Sequence, residues 1–278
     1  MNARAAAVAA MLGLLAVLST RAYAEEGASA GGSPLDERKA LAFSQSVIGK
    51  PIGDYSFTDR DGQSVRFSRY RGKPLLVSFI YTGCFQVCPT TTKFLAKAVA
   101  AATDALGEGS FNVVSIGFNL PFDTPSAMRT FAKQQGITAK NWEFLSPDPS
   151  SLEDLTRNFG FLYYSTPKGY DHLIQVTLVD PQGRVYRQIY GDSFDLRMLV
   201  APLKELVTGT PPPLGDLAAF AERVRILCTV YDPASGRYRL NYAVVIELLV
   251  GAGIILFGLL TLLWEWRKHK RAAASHGG

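Results

Sequence analysis

The chain has 278 residues, 47% of them apolar and 19% charged, and this balance excludes a mainly disordered protein. The formal net charge is +5, but residues 25–242 contain 23 basic and 22 acidic residues. The positive excess therefore lies at the ends of the chain, and no basic stripe indicates binding to nucleic acid.

Apolar segments near both ends predict an exported protein that is tethered to a membrane. Residues 1–24 contain Arg4, an apolar run and the sequence AYA, which predict a signal peptide, with an uncleaved anchor as the alternative. Residues 243–264 are apolar except for Glu247 and precede four basic residues, which predicts a single transmembrane helix and a cytoplasmic tail over 265–278. The main domain is then expected on the exported, periplasmic side.

The first elements between these ends alternate between strands and helices. Residues 25–44 are predicted to be a flexible leader, and a short helix over 36–46 is predicted to begin within its last part. The elements that follow are a hairpin over 53–67, a strand over 75–81, a helix over 90–106, a strand over 112–117, a helix over 126–135, a strand over 142–145 and a helix over 150–159. This order predicts a parallel core with helices on its faces, and the continuous apolar run 75–81 is expected at its centre.

The order changes in the last part of the domain. Strands over 173–179 and 184–190 flank a tight turn and predict an antiparallel hairpin, and a helix over 195–207 follows. The whole arrangement predicts an α/β, thioredoxin-like fold with an N-terminal β-hairpin over residues 45–207. Residues 208–242 are predicted to be a linker and an amphipathic segment.

Two of the three cysteines follow the central predicted strand. Cys84 and Cys88 lie where a helix begins, and the N–H groups and dipole of a helix N-terminus favour thiolate over thiol. Because thiolates attack disulfides and bind soft metal ions, the pair predicts one of these two chemistries, with a structural disulfide as the alternative. Cys228 has no cysteine or histidine nearby and is predicted to be a structural thiol, the alternatives being an intermolecular disulfide and a lipid-facing thiol.

His172 is the only histidine in the predicted exported domain. A lone histidine is often structural, but His172 precedes the strand that is expected beside the central one. In a thioredoxin-like arrangement its loop faces the cysteine loop, so Cys84, Cys88 and His172 are predicted to converge. This set leaves zinc short of its usual four ligands, whereas copper(I) accepts two or three soft ligands and copper(II) can add water. Copper is therefore the predicted metal ion.

Three sequence blocks, YTGCFQVCPTTT, FDTPSAM and YDHLIQVTLVDPQGRV, resemble the Sco/SenC family of copper chaperones for cytochrome c oxidase assembly. The resemblance covers about residues 45–207 and implies that Cys84, Cys88 and His172 bind copper. It also implies delivery of copper to the copper-A centre of cytochrome c oxidase subunit II, or reduction of that subunit's cysteines before metallation. It identifies no copper donor.

The chain departs from that family in two respects. The block NLPFDTP has Asn119 and Phe122 where Asp and Arg are usual, so the surface offered to a partner differs. The predicted anchor is a C-terminal helix, whereas many members are tethered by an N-terminal one.

Three functions compete for the same residues. The first is a copper chaperone without catalytic turnover, and the second is a thiol-disulfide oxidoreductase in which Cys84 attacks and Cys88 resolves. The spacing CxxxC disfavours the oxidoreductase because such enzymes mostly use CxxC. A peroxidase is disfavoured because Thr82 lies two positions before Cys84 and not three. A copper-linked redox sensor is the third reading, and the chaperone is the prediction.

Overall fold

The computed structural model describes residues 35–209, 229–232, 237–240, 242, 246–247, 249–251, 253–261 and 264. Several predictions fall outside this part of the chain: the signal peptide 1–24, the leader before residue 35, Cys228 and the basic tail 265–278.

Seven strands form one mixed sheet, which confirms the predicted α/β fold. Their bounds are β1 Ser56–Asp59, β2 Ser64–Arg66, β3 Leu75–Ile80, β4 Asn112–Gly117, β5 Trp142–Pro147, β8 Gln175–Val179 and β9 Val185–Tyr190, and their order across the sheet is β2-β1-β5-β4-β3-β8-β9. Strands β3, β4 and β5 are parallel to one another. Strand β1 runs antiparallel to β5, and β8 runs antiparallel to β3. All six residues of β3 are buried, as expected of a strand covered on both faces.

Five α-helices occur within residues 35–209: α1 Glu37–Ser46, α2 Val87–Leu106, α3 Pro125–Gln134, α4 Leu152–Asn158 and α5 Arg197–Thr208. Buried residues of α2, α3 and α5 pack with Leu76 and Ile80 on one face of β3. The opposite face carries Leu75, Val77 and Phe79, which pack with buried residues of α4. The side chains of β3 therefore alternate between two apolar layers, which holds the end of this strand in place.

Some element boundaries differ from those predicted, and two of the differences involve the candidate site. Helix α2 begins at Val87 and not at residue 90, so Cys88 lies within its first turn. A separate antiparallel hairpin, β6 Tyr163–Thr166 and β7 Gly169–His172, replaces the predicted loop before the β8 strand. His172 is thus the last residue of a strand.

The two ends of the described chain also bear on the predicted domain division. The short helix predicted over 36–46 is α1, so residues 37–44 of the predicted leader are helical, and the Ser44 hydroxyl donates a 3.0 Å hydrogen bond to the side chain of Gln175. Past the domain, β10 Thr229–Asp232 pairs with β11 Arg237–Leu240. In the predicted span 243–264, residues 246–247, 249–251, 253–261 and 264 are described and helical. None of the helices in the described part of the chain is both long enough and apolar enough to cross a membrane.

Candidate metal centre

The two thiols lie at the carboxyl end of the central strand, where β3 passes into α2. The loop turns sharply after the strand, since the Cys84 N–H donates to the carbonyl of Tyr81 at 3.1 Å. The Cys88 N–H, in the first turn of α2, donates to Cys84 Sγ at 3.2 Å. Cys84 is half-buried, Cys88 is buried, and both thiols are free. The structure therefore brings the predicted pair together at a helix N-terminus.

The surroundings of the two sulfur atoms make them chemically unequal. Hydrogen bonds from the Cys88 side chain and from the N–H groups of Cys88 and Gln86 lower the pKa of Cys84 to about 5, although burial opposes the shift. The Cys88 thiol donates a hydrogen bond to Cys84, and this bond together with burial raises the pKa of Cys88 above its ordinary value. Burial and a hydrogen bond to Cys84 raise the pKa of Tyr81 to about 12. At neutral pH the pair is a thiolate at Cys84 and a thiol at Cys88.

His172 is held in one orientation by its backbone neighbour and two aromatic rings. Its Nδ1 lies 2.9 Å from the carbonyl oxygen of Leu173, and a carbonyl only accepts, so Nδ1 carries the proton. Its ring lies 5.6 Å from that of Phe118 and 5.1 Å from that of Phe161, measured between centroids. Burial lowers the pKa of His172, which keeps the imidazole neutral at neutral pH. Nε2 is then the unprotonated nitrogen, the form in which histidine binds a metal ion.

Only part of the predicted ligand set shares one cavity. Cys88, Thr91 and His172 line a space of about 20 Å³ between α2 and the segment that enters β8. Cys84 is outside that lining, although its negative charge acts on His172 and opposes the lowering of its pKa. No group of three or more Cys, His, Asp or Glu side chains in the described residues is already arranged to hold a metal ion. Convergence of all three residues on one ion remains a prediction.

A buried carboxylate, Asp123, holds the cysteine loop, a role that the sequence did not predict. Asp123 is fully buried and accepts hydrogen bonds from the Thr82 N–H at 2.8 Å, the Thr82 hydroxyl at 2.7 Å and the Asn119 N–H at 2.8 Å. Burial raises the pKa of Asp123, against the lowering effect of these bonds. The only signal in the sequence was a Thr two positions before Cys84, and nothing local indicated its partner.

Aromatic contacts connect the same loops to the hairpin that carries His172. The Tyr170 hydroxyl donates to Asn119 Oδ1 at 2.9 Å, and its ring packs edge-on against that of Tyr81 at 5.2 Å between centroids. A Cβ placed on Gly169 would lie 2.5 Å from the Tyr81 hydroxyl oxygen, so the hairpin and the cysteine loop are in close contact. Three segments distant in sequence therefore form one site.

Comparisons with known proteins identify relatives in sequence and in fold. The sequence model of the SCO1/SenC family matches residues 46–208. The SCO1 protein homolog of Bacillus subtilis is 26% identical over 148 residues, which cover 50% of this chain and 74% of that protein. A crystal structure from Aquifex aeolicus has a TM-score of 0.53 at 26% identity and covers 62% of this chain and 98% of its own. Copper-bound ScoI of Arabidopsis thaliana, at 22% identity and a TM-score of 0.50, covers 57% of this chain and 99% of its own and shares the fold.

Proposed function

The chain belongs to the SCO1/SenC family, and on this premise we propose that it binds one copper ion through Cys84, Cys88 and His172 and delivers it to another protein. Sco proteins take part in the handling of copper for cytochrome c oxidase assembly. By resemblance, the client is cytochrome c oxidase subunit II, whose copper-A centre receives the ion. The observation that carries the proposal is that Cys88 and His172 line one cavity, with Cys84 Sγ 3.2 Å from the Cys88 N–H and the His172 proton held on Nδ1 by the Leu173 carbonyl.

The donor set suits copper as cargo. Two sulfur atoms and one imidazole nitrogen are soft or borderline ligands, and three ligands satisfy copper(I) without a fourth. Cys84 needs no deprotonation at neutral pH, whereas Cys88 has a raised pKa and must release its proton when it becomes a ligand. Binding of one ion is therefore expected to release about one proton from the pair.

An anaerobic copper(I) titration of the full-length reduced protein, against a competing chelator, tests this proposal. The natural chain should bind one equivalent tightly. His172→Ala should weaken binding by at least about 10- to 100-fold, since removal of a group that only orients a ligand already costs this much and His172 would bond the ion directly. Cys228→Ser and His269→Ala are matched controls that remove a thiol and an imidazole outside the proposed set. Equal affinity in His172→Ala and the natural chain would refute the three-ligand site.

A second function has its own supporting observation, which is the inequality of the two thiols. The Cys84 thiolate could attack a client disulfide and form a mixed disulfide, releasing one client thiolate. Cys88, after losing its proton, would then attack Cys84 Sγ and release the second client thiolate, leaving the chain oxidised and the client reduced. This function would be favoured over the chaperone if the copper-free chain rapidly reduced a disulfide in subunit II. The Cys88→Ser variant should then lose this activity and accumulate the mixed disulfide.

We also infer that the chain is exported by residues 1–24 and tethered by residues 243–264, with its main domain in the periplasm. The support is the sequence pattern at both ends, together with the exposure of apolar side chains such as Leu249, Ile255 and Phe257 in the described part of that segment. Protease added to spheroplasts should digest the domain but spare a tag placed after residue 278. Digestion of the tag under the same conditions would contradict the tether.

A further inference from the structure

Exposed apolar side chains lie on the loops next to the thiol pair. Phe85, between the two cysteines, is 97% exposed, Phe122 is 70% exposed and Val87 is 40% exposed. We call these three residues the rim. Large apolar side chains are usually buried, and a group of them in solvent marks a surface that another molecule covers.

The two loops of the rim are held side by side by one carboxylate. Asp123, which follows Phe122, accepts hydrogen bonds from the backbone and side chain of Thr82, three positions before Phe85. Cys84 lies between Thr82 and Phe85 and is itself partly exposed. A protein that contacts the Cys84 sulfur therefore also meets the loops that carry the rim.

Apart from the Cys84 thiolate, the loops that carry the rim contain no charged side chain that faces solvent. No charged residue occurs between Lys73 and Lys93 or between Glu108 and Asp123, and Asp123 is fully buried. A charged partner segment would lose water against the apolar side chains of the rim, and an acidic segment would also be repelled by the Cys84 thiolate. Uncharged, apolar side chains gain from the same contact, because aromatic anchors at the centre of an interface supply much of its binding energy.

We propose that the rim is the docking surface for the copper-accepting protein, and that this protein presents an uncharged, apolar segment beside its own copper ligands. The inference rests on the proposed function and names the chemistry by which that site recognises its partner. A lipid surface would also cover apolar side chains, but it would separate Cys84 from the acceptor. A protein occupant is compatible with transfer because it leaves its own ligands next to the thiolate.

The test uses the full-length chain in detergent, loaded with copper(I), and the copper-free copper-A domain of oxidase subunit II. Affinity is measured by anisotropy of labelled acceptor, and transfer by the rate at which the acceptor gains copper. Phe85→Ser and Phe122→Ser should each weaken binding about tenfold or more and slow transfer at low acceptor concentration, with unchanged copper(I) affinity. Ile48→Ser is the matched control, since Ile48 is 40% exposed and adjoins Gly49, whose N–H bonds to Val185 at the other end of the sheet.

The outcomes separate this inference from the function on which it rests. Acceptor binding that depends on the rim, but without transfer of copper, would support the docking surface and refute delivery. Equal affinity of Phe122→Ser and the natural chain, or no complex with the natural chain, would overturn the docking surface. So would substitutions that alter only self-association in sedimentation, because the occupant would then be a second copy. Substitutions that alter only flotation with phosphatidylcholine and phosphatidylglycerol vesicles would overturn it too, the occupant then being lipid.

Discussion

Replacing Cys88 by alanine should raise the pKa of Cys84, because the Cys88 side chain is the largest contributor that lowers it to about 5. A hydrogen bond to a charged group contributes about 1.5–3 kcal/mol, and one pKa unit corresponds to about 1.4 kcal/mol. The variant should therefore titrate about 1–2 pH units higher than the natural chain. The N–H of residue 88, which lies 3.2 Å from Cys84 Sγ, remains in the variant and should keep the pKa below that of an ordinary thiol.

The assay is the pH dependence of alkylation by iodoacetamide in a Cys228→Ser background, followed by peptide mass spectrometry. Only the thiolate reacts, so the rate should rise with pH to a plateau, with its half-point near 5 in the natural chain and higher in Cys88→Ala. The half-point is a better measure than the plateau rate, since thiolates of low pKa are weaker nucleophiles. Cys88→Ser keeps a hydroxyl donor and should fall between the two. A half-point near 8 or 9 in the natural chain would refute the assignment of the thiolate to Cys84. The same half-point in Cys88→Ala and the natural chain would refute the contribution of the Cys88 side chain.

Three further predictions concern the groups that hold the site. Asp123→Ala should lower the free energy of unfolding by about 3–5 kcal/mol in urea melts, because buried donors lose their acceptor. The control Asp61→Ala, at an exposed carboxylate, should lower it by less than about 1 kcal/mol. A similar loss in both variants would contradict the anchoring role of Asp123. Gly169→Ala should cost about 1–3 kcal/mol, since its φ is +122° and the new Cβ would meet a tyrosine hydroxyl. Gly62→Ala, at φ +83° with nothing within 4 Å, measures the backbone cost alone, and equal losses would exclude the contact. The imidazole of His172 should be neutral with its proton on Nδ1 at pH 7 and titrate below 6.5 by nitrogen NMR, and a midpoint above 6.5 would contradict the effect of burial.

Most of the sheet and its helices could be predicted because their signals are local. The apolar run of β3 and the Asp-Gly turn of the first hairpin follow short-range rules that act within a few residues. The same holds for Thr124, which caps α3 by accepting a hydrogen bond from the Ala127 N–H. The hairpin of β6 and β7 was missed because its sequence is short and polar and its strands pair only with each other.

The candidate ligands were identifiable from residue type and spacing, but their chemical states were not. The sequence alone determined that two cysteines follow a buried strand and that a single histidine precedes a neighbouring strand. Only the tertiary structure decided that Cys88 is buried and protonated while Cys84 is a partly exposed thiolate. The same is true of the tautomer and neutral state of His172.

The physical reason is that burial and hydrogen bonding depend on atoms that the chain brings together from far apart. Asp123 meets Thr82 from 41 positions away, and Tyr170 meets Asn119 from 51 positions away. No local pattern contains these pairs, yet they hold the cysteine loop and the hairpin of His172 in register. Residue spacing determined which atoms can act as ligands, and packing decided which of them carry a proton, a charge or an exposed surface.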